Sequence, residues 1–262
     1  MNAERSFNIP KALLPYQSLI RANTLLCAKL SFSNSPSSYT GSKLGGIPFL
    51  DPYSSIPKDK YGMPMSLLAQ INFEEFDLEP PFPQNGILQF FIDQQFGNTQ
   101  LPKESEEFII KYIHPPKETN TPLPNQEVIP MHPEFPILRE LTVSSETVLD
   151  PVSSLDFRYQ YSYPKEINSR LVTEDERTFE EVYFENFLGA DPKIGGYPYF
   201  IHNDFRIANP AFKKYDTLLL QILTDDLYDI IYRDSGIISF FISTQDLTNL
   251  NFSNVYMHTE EY

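Results

Sequence analysis

The chain contains no tryptophan, one cysteine and only ten glycines in 262 residues, and its 20 Lys and Arg are outnumbered by 35 Asp and Glu. Each shortage excludes something. A single thiol, Cys27, can form neither an intrachain disulfide nor a paired-cysteine metal site. A net charge of −15 argues against a nucleic-acid partner, because phosphate binding needs clustered Lys and Arg. No apolar run approaches the roughly 18 residues of a membrane span; Leu25-Leu26-Cys27-Ala28 stops at Lys29. Met1 to Ser6 lacks the basic start and apolar stretch of a secretory signal. The expectation is a soluble cytoplasmic protein, with which the lone thiol agrees, and with neither membrane nor nucleic acid as partner. What is present is core material. Hydrophobic residues make up 41% and aromatics 14% of the chain, which rules out wholesale disorder and suits one large domain or two small ones.

The chain reads as if written twice, a pattern to be sought before any other. Lys43-Leu44-Gly45-Gly46-Ile47-Pro48-Phe49-Leu50 returns as Lys193-Ile194-Gly195-Gly196-Tyr197-Pro198-Tyr199-Phe200. Leu67-Leu68-Ala69-Gln70-Ile71 returns as Leu218-Leu219-Leu220-Gln221-Ile222, and Gly86-Ile87-Leu88-Gln89-Phe90-Phe91-Ile92 as Gly236-Ile237-Ile238-Ser239-Phe240-Phe241-Ile242. A weaker fourth block aligns Phe108 and Tyr112-Ile113-His114 with Phe252 and Tyr256-Met257-His258. Six of the ten glycines occupy matched positions in the same order, which is difficult to attribute to chance. The halves are expected at 1–131 and 132–262, sharing one core. Seven prolines from Pro115 to Pro136 form an extended crossing or linker between them, since proline cannot donate to a strand ladder.

Each half should be mostly strand. Leu67 to Phe73 and Leu218 to Leu223 are nearly continuous apolar runs, as in strands buried on both faces. Leu26, Ala28, Leu30 and Phe32 alternate with more polar neighbours, as in a half-buried strand. Phe157-Arg158-Tyr159-Gln160-Tyr161-Ser162-Tyr163 alternates in the same way and reads as another. Thr173-Glu174-Asp175-Glu176 matches a capping box, with Phe179, Val182, Tyr183 and Phe187 on one face of the helix that follows. A second helix is expected from Pro15 to about Asn23, with Leu19 and Ile20 inward. The fold class expected is α+β, strand-dominated, with two pseudo-equivalent halves around a common core.

The segment Gly45 to Ile92 resembles the YwqG-like bacterial family, a domain family of unknown function. The resemblance rests on Gly45-Gly46-Ile47-Pro48, on Gly62-Met63-Pro64-Met65-Ser66-Leu67-Leu68-Ala69-Gln70-Ile71-Asn72 and on Gly86-Ile87-Leu88-Gln89-Phe90-Phe91. The second half adds Tyr215-Asp216-Thr217-Leu218-Leu219-Leu220-Gln221-Ile222 and Asp234-Ser235-Gly236. The chain departs from the family pattern at Ile56-Pro57, where the family carries Trp-Pro, and at Tyr232-Arg233-Asp234, where it carries Trp-Gly-Asp. The resemblance implies a shared fold and cytoplasmic residence, and no reaction.

Residues with chemical potential are few. Lys43 and Lys193 open the two glycine loops and are the candidate anion contacts, although the proline two residues after each glycine pair points to a turn entering a strand. Gln70 and Gln221 sit in apolar strands, where an amide must bind either a ligand or neighbouring backbone. Their duplication favours the backbone. Glu74-Glu75, Asp225-Asp226, Asp229 and Asp234 lack the spacing of a calcium loop. His114, His132, His202 and His258 lack zinc-ligand spacing, and Cys27 reads as a small buried hydrophobe. Neither a resident metal nor a cofactor is expected.

Two functions from different classes follow. The first is a non-enzymatic binding or protein-interaction module whose acidic surface attracts a basic partner protein, immunity to a basic toxin being one form. The second is a small-molecule or divalent-metal-dependent enzyme in the cleft between the halves, using Lys43, Asp59, Gln70, Lys193, Gln221 and Asp234.

Overall fold

The structure, a computed structural model, describes residues 7–51, 54–94, 107–114 and 132–262. Ten strands form a single sheet: β1 (Thr24–Ser33), β2 (Lys43–Leu44), β3 (Ser66–Asn72), β4 (Ile87–Ile92), β5 (Phe108–Ile113), β6 (Leu141–Pro151), β7 (Lys193–Gly195), β8 (Thr217–Leu223), β9 (Gly236–Ile242) and β10 (Tyr256–Glu261). Their order is β10-β9-β8-β7-β1-β6-β2-β3-β4-β5, with every pairing antiparallel. Helices are few and short, so the strand-dominated expectation holds.

The sheet curls. In strand order β4 and β9 stand seven places apart, which in a flat sheet would separate them by roughly 34 Å. Yet the rings of Phe90 on β4 and Phe240 on β9 have centroids 4.8 Å apart, and Phe108 of β5 meets Phe240 at 5.7 Å. The concave side encloses the main core, to which Ala28, Leu30 and Phe32 of β1 contribute alternate residues. On the convex side, separate clusters cover β3–β4 (Met65, Leu67, Phe91) and β8–β9 (Phe200, Leu218, Phe241). Coverage of both faces explains why β3, β4 and β9 are buried along their whole length, as their apolar runs predict.

The two wings share local detail. Lys43 faces Gln70 across β2–β3, and Lys193 faces Gln221 across β7–β8. The β3–β4 register slips between Leu67 and Ala69, and the β8–β9 register between Leu218 and Leu220. Val143 N donates to Ser42 O, and Leu30 N donates to Pro192 O. Gly45, Gly46, Gly195 and Gly196 all have φ between 62° and 74°. A Cβ at Gly45 would come within 3.0 Å of Arg139 O, and one at Gly195 within 3.1 Å of Leu26 O. Glycine is required in both turns because the backbone enters the left-handed region against a neighbouring strand.

Several expectations are corrected. Phe157 to Tyr163 is not a strand; it is a turn leading into the one-turn helix Tyr159–Ser162. Tyr159 and Tyr163, four residues apart, share the buried face, while Tyr161 is 70% exposed. The same aromatics thus satisfy a helical period better than the alternation of a strand. The capping box lies five residues later than expected, at Thr178 and Glu181, and its helix is Phe179–Asn186. Thr173 instead accepts from Arg177 N at 2.9 Å, and Glu176 has φ 62°, which no right-handed helix tolerates. Phe179, Val182 and Tyr183 are nonetheless the buried face, and they cover Tyr159 and Tyr163. The fourth repeated block is displaced: Ile109 faces Phe91 and Tyr256 faces Phe241, so Tyr256 corresponds in register to Ile109 and not to Tyr112. The N-terminal helix appears as a 3-10 segment Lys11–Tyr16 running into Gln17–Ala22, with Ile20 buried. Of the proline-rich crossing, 115–131 lies outside the described residues, and so does the boundary at Met131. Its end is anchored: Phe135 and Ile137 are buried, and Ile231 N donates to Pro136 O.

Candidate functional site

The glutamines bond almost wholly to backbone. Gln70 Oε1 accepts from Phe49 N at 2.7 Å and Gln89 Nε2 at 2.9 Å, and its Nε2 donates to Tyr39 O and Gly41 O. Gln221 repeats this: Oε1 accepts from Tyr199 N at 2.9 Å, and Nε2 donates to Gly189 O and Asp191 O. Each amide therefore ties its strand to the segments on either side of its own glycine loop.

The two lysines differ. Lys193 Nζ donates to Asp150 Oδ2 at 2.7 Å, and both side chains are buried. Lys43 Nζ reaches Glu140 Oε2 only at 3.5 Å, and burial lowers its pKa against the opposing pull of Glu140 and Glu75. Asp59 Oδ1 accepts from Tyr61 N and Met63 N and shapes an exposed turn. Asp234 is exposed in the turn before β9. Four of the six sequence-named residues thus form two matched lysine–glutamine pairs in separate wings, and the other two lie in turns. Cys27 is fully buried; burial first, then the Asp150 carboxylate, pushes its thiol up to about 12.

A cavity of about 410 Å³ lies where the 78–82 segment between β3 and β4 meets β1, the turn after β7 and the start of β8. Its walls are Thr24, Leu25 and Leu26 of β1, Leu78, Glu79, Pro80, Pro81 and Phe82, Leu149 of β6, Arg158, the Gly195–Gly196 turn, Asp216, Thr217 and Thr244. None of the six sequence-named residues lines it. The lining is mainly apolar with a few polar groups, the usual character of a small-molecule site.

The polar wall is built on a buried ion network that sequence reasoning missed. Arg206 binds Asp204 through Nε and Nη2, and Nη2 also donates to Asp156 Oδ2 at 2.9 Å. All three side chains are buried. Arg158 grips Asp156 with Nε and Nη2, both at 2.7 Å, and its Nη1 donates to Asp216 O at 3.1 Å. Burial alone would raise the Asp156 pKa, but Arg158 and then Arg206 hold the carboxyl below its ordinary value. Aromatic rings enclose the guanidiniums: Phe157 lies 4.7 Å from Arg206 and Tyr197 4.6 Å from Arg158. The sequence carries a signal for this network. Asp-Phe-Arg occurs twice, at Asp156-Phe157-Arg158 and Asp204-Phe205-Arg206. In each copy the aspartate accepts from the backbone N–H of its own arginine and then pairs with its guanidinium.

Beside Arg158, Asp216 Oδ1 accepts from Thr217 Oγ1, Thr244 N and Thr244 Oγ1. Its Oδ2 has no partner among the described residues. This wall can offer guanidinium N–H donors and a carboxylate acceptor side by side. Among the described residues, no three His, Cys, Asp or Glu side chains gather as a metal-binding group, and no helix is long and apolar enough to cross a membrane.

These features define a strand-dominated domain of one curled antiparallel sheet, with a cleft where its two wings meet. The chain belongs to the family described as domain of unknown function DUF1963, whose model matches residues 42–260. No curated protein matches it significantly.

Proposed function

We propose that this protein is a non-enzymatic binding module that holds a small molecule in the cleft beside Arg158. The observation that carries this reading is the 410 Å³ cavity itself, walled by both halves of the chain. Its polar groups are held in place by the buried network, so the binding surface is organised before any ligand arrives. In this reading the halves 1–131 and 132–262 descend from one duplicated unit of the YwqG-like type. Support comes from the matched lysine–glutamine registers, the matched glycine turns and the placement of β1 between β6 and β7. The residues matched between the halves then serve architecture, and those with no counterpart in the first half, Arg158 and Asp216, serve the ligand. The reading places the protein in the cytoplasm.

Thermal denaturation with and without a small-molecule extract of the host tests it, using the wild type and Leu25→Trp. Leu25 lines the cavity and is 39% exposed, so the larger ring fills the cleft without entering the core. The extract should raise the midpoint of the wild type and leave the variant unmoved. Equal responses would remove the cleft from the account.

The net charge of −15 favours a second reading, in which the acidic surface recruits a basic protein, immunity to a basic toxin being one form. Retention of the chain on a purified basic partner, lost as salt rises, is the test.

A further inference from the structure

Resting on the cleft reading above, we propose that the ligand is a free α-amino acid with an apolar side chain. The argument starts from two neighbouring groups of opposite charge on one wall. Arg158 and Asp216 are held together by the 3.1 Å bond from Nη1 to Asp216 O. Arg158 spends three of its five N–H donors on Asp156 and Asp216 and keeps two. It lines the cavity with its side chain 24% exposed. Asp216 offers the complement: Oδ1 takes three donors while Oδ2 takes none among the described residues. An α-amino acid carries its carboxylate and its ammonium on one carbon, so a guanidinium beside a carboxylate meets both groups at once.

Charge excludes the simpler alternatives. The two arginines and two aspartates of the buried network balance each other, and the lining adds two carboxylates, Asp216 and Glu79. A plain carboxylate would add a third negative charge to that lining. A plain amine would leave the remaining Arg158 donors without an acceptor. The zwitterion satisfies both. Leu25, Leu26, Pro81 and Phe82 supply an apolar wall for a side chain, and the cavity volume is of small-molecule size.

Isothermal titration of the full chain tests this, with L-leucine and L-phenylalanine as probes and isovalerate and isopentylamine as single-charge analogues. At least one amino acid should bind, with each analogue weaker by about tenfold or more. Asp216→Asn should lose about tenfold for the amino acid and bind isovalerate more tightly than the wild type does, since the charge that repels it is gone. Should that variant fail to fold, Leu25→Trp should abolish amino-acid binding in a chain that still melts cooperatively. Analogues that bind as tightly as the amino acids would overturn the proposal. So would the absence of amino-acid binding while the host extract still stabilises the wild type and not Leu25→Trp; in that case the ligand class is wrong and the cleft reading stands.

Discussion

Lys193 Nζ lies 2.7 Å from Asp150 Oδ2, and neither side chain is more than 6% exposed. The equivalent lysine of the other wing, Lys43, stands 3.5 Å from Glu140, whose side chain is 31% exposed. Two residues at the same position of the same motif therefore sit in different electrostatic settings.

Their substitutions should separate accordingly. Lys193→Met leaves a buried carboxylate with only the Tyr197 N–H to accept from, and should cost about 3–5 kcal/mol. Lys43→Met leaves a carboxylate that water can reach, and it removes an ammonium that burial already disfavours. It should change stability by less than about 1 kcal/mol. Urea denaturation of both variants at neutral pH checks the difference.

Acid should act through Asp156. Its folded pKa is depressed below the ordinary 3.8 that applies in the unfolded chain. The stability it contributes is therefore fully present above about pH 4 and is lost as pH falls through the lower folded value. The urea midpoint of the wild type should fall more steeply below pH 4 than that of Asp156→Asn, even though the variant is less stable at pH 6.

Cys27 should be inert in the folded protein. With its thiol pushed up to about 12 and its side chain buried, labelling by a disulfide reagent at pH 8 should be more than ~100-fold slower than in the urea-unfolded chain. Equal rates would mean that β1 opens readily.

How far the sequence reveals this structure depends on the residue. The Gly45-Gly46 and Gly195-Gly196 turns and the two glutamines were legible because their reasons are local: a positive φ and an amide in an apolar run. The curl was not, since contact between Phe90 and Phe240 depends on the cumulative twist of seven strand-to-strand steps and leaves no pattern in either segment. Phe157 to Tyr163 misled because aromatics at every second position also include a pair four apart. The capping box misled because two Thr-x-x-Glu matches lie five residues apart, and burial of Phe179 at the first helical position decided between them. The Asp-Phe-Arg pair was visible but its meaning was not. Only the fold brings Arg158, Asp216 and the 78–82 segment around one space.

The division of labour between residues matched across the halves and residues without a counterpart is the central claim, and one paired titration tests it most directly. Gln221→Leu strips Tyr199 N, Gly189 O and Asp191 O of a partner, so it should lower the melting midpoint by several degrees, at about 1 kcal/mol for each of these part-buried groups left unpaired. Its affinity for the amino acid that the wild type binds should stay within about twofold, while Leu25→Trp should melt within about 2 °C of the wild type and bind nothing. A Gln221→Leu protein that melts normally but no longer binds, beside a Leu25→Trp protein that still does, would contradict the account.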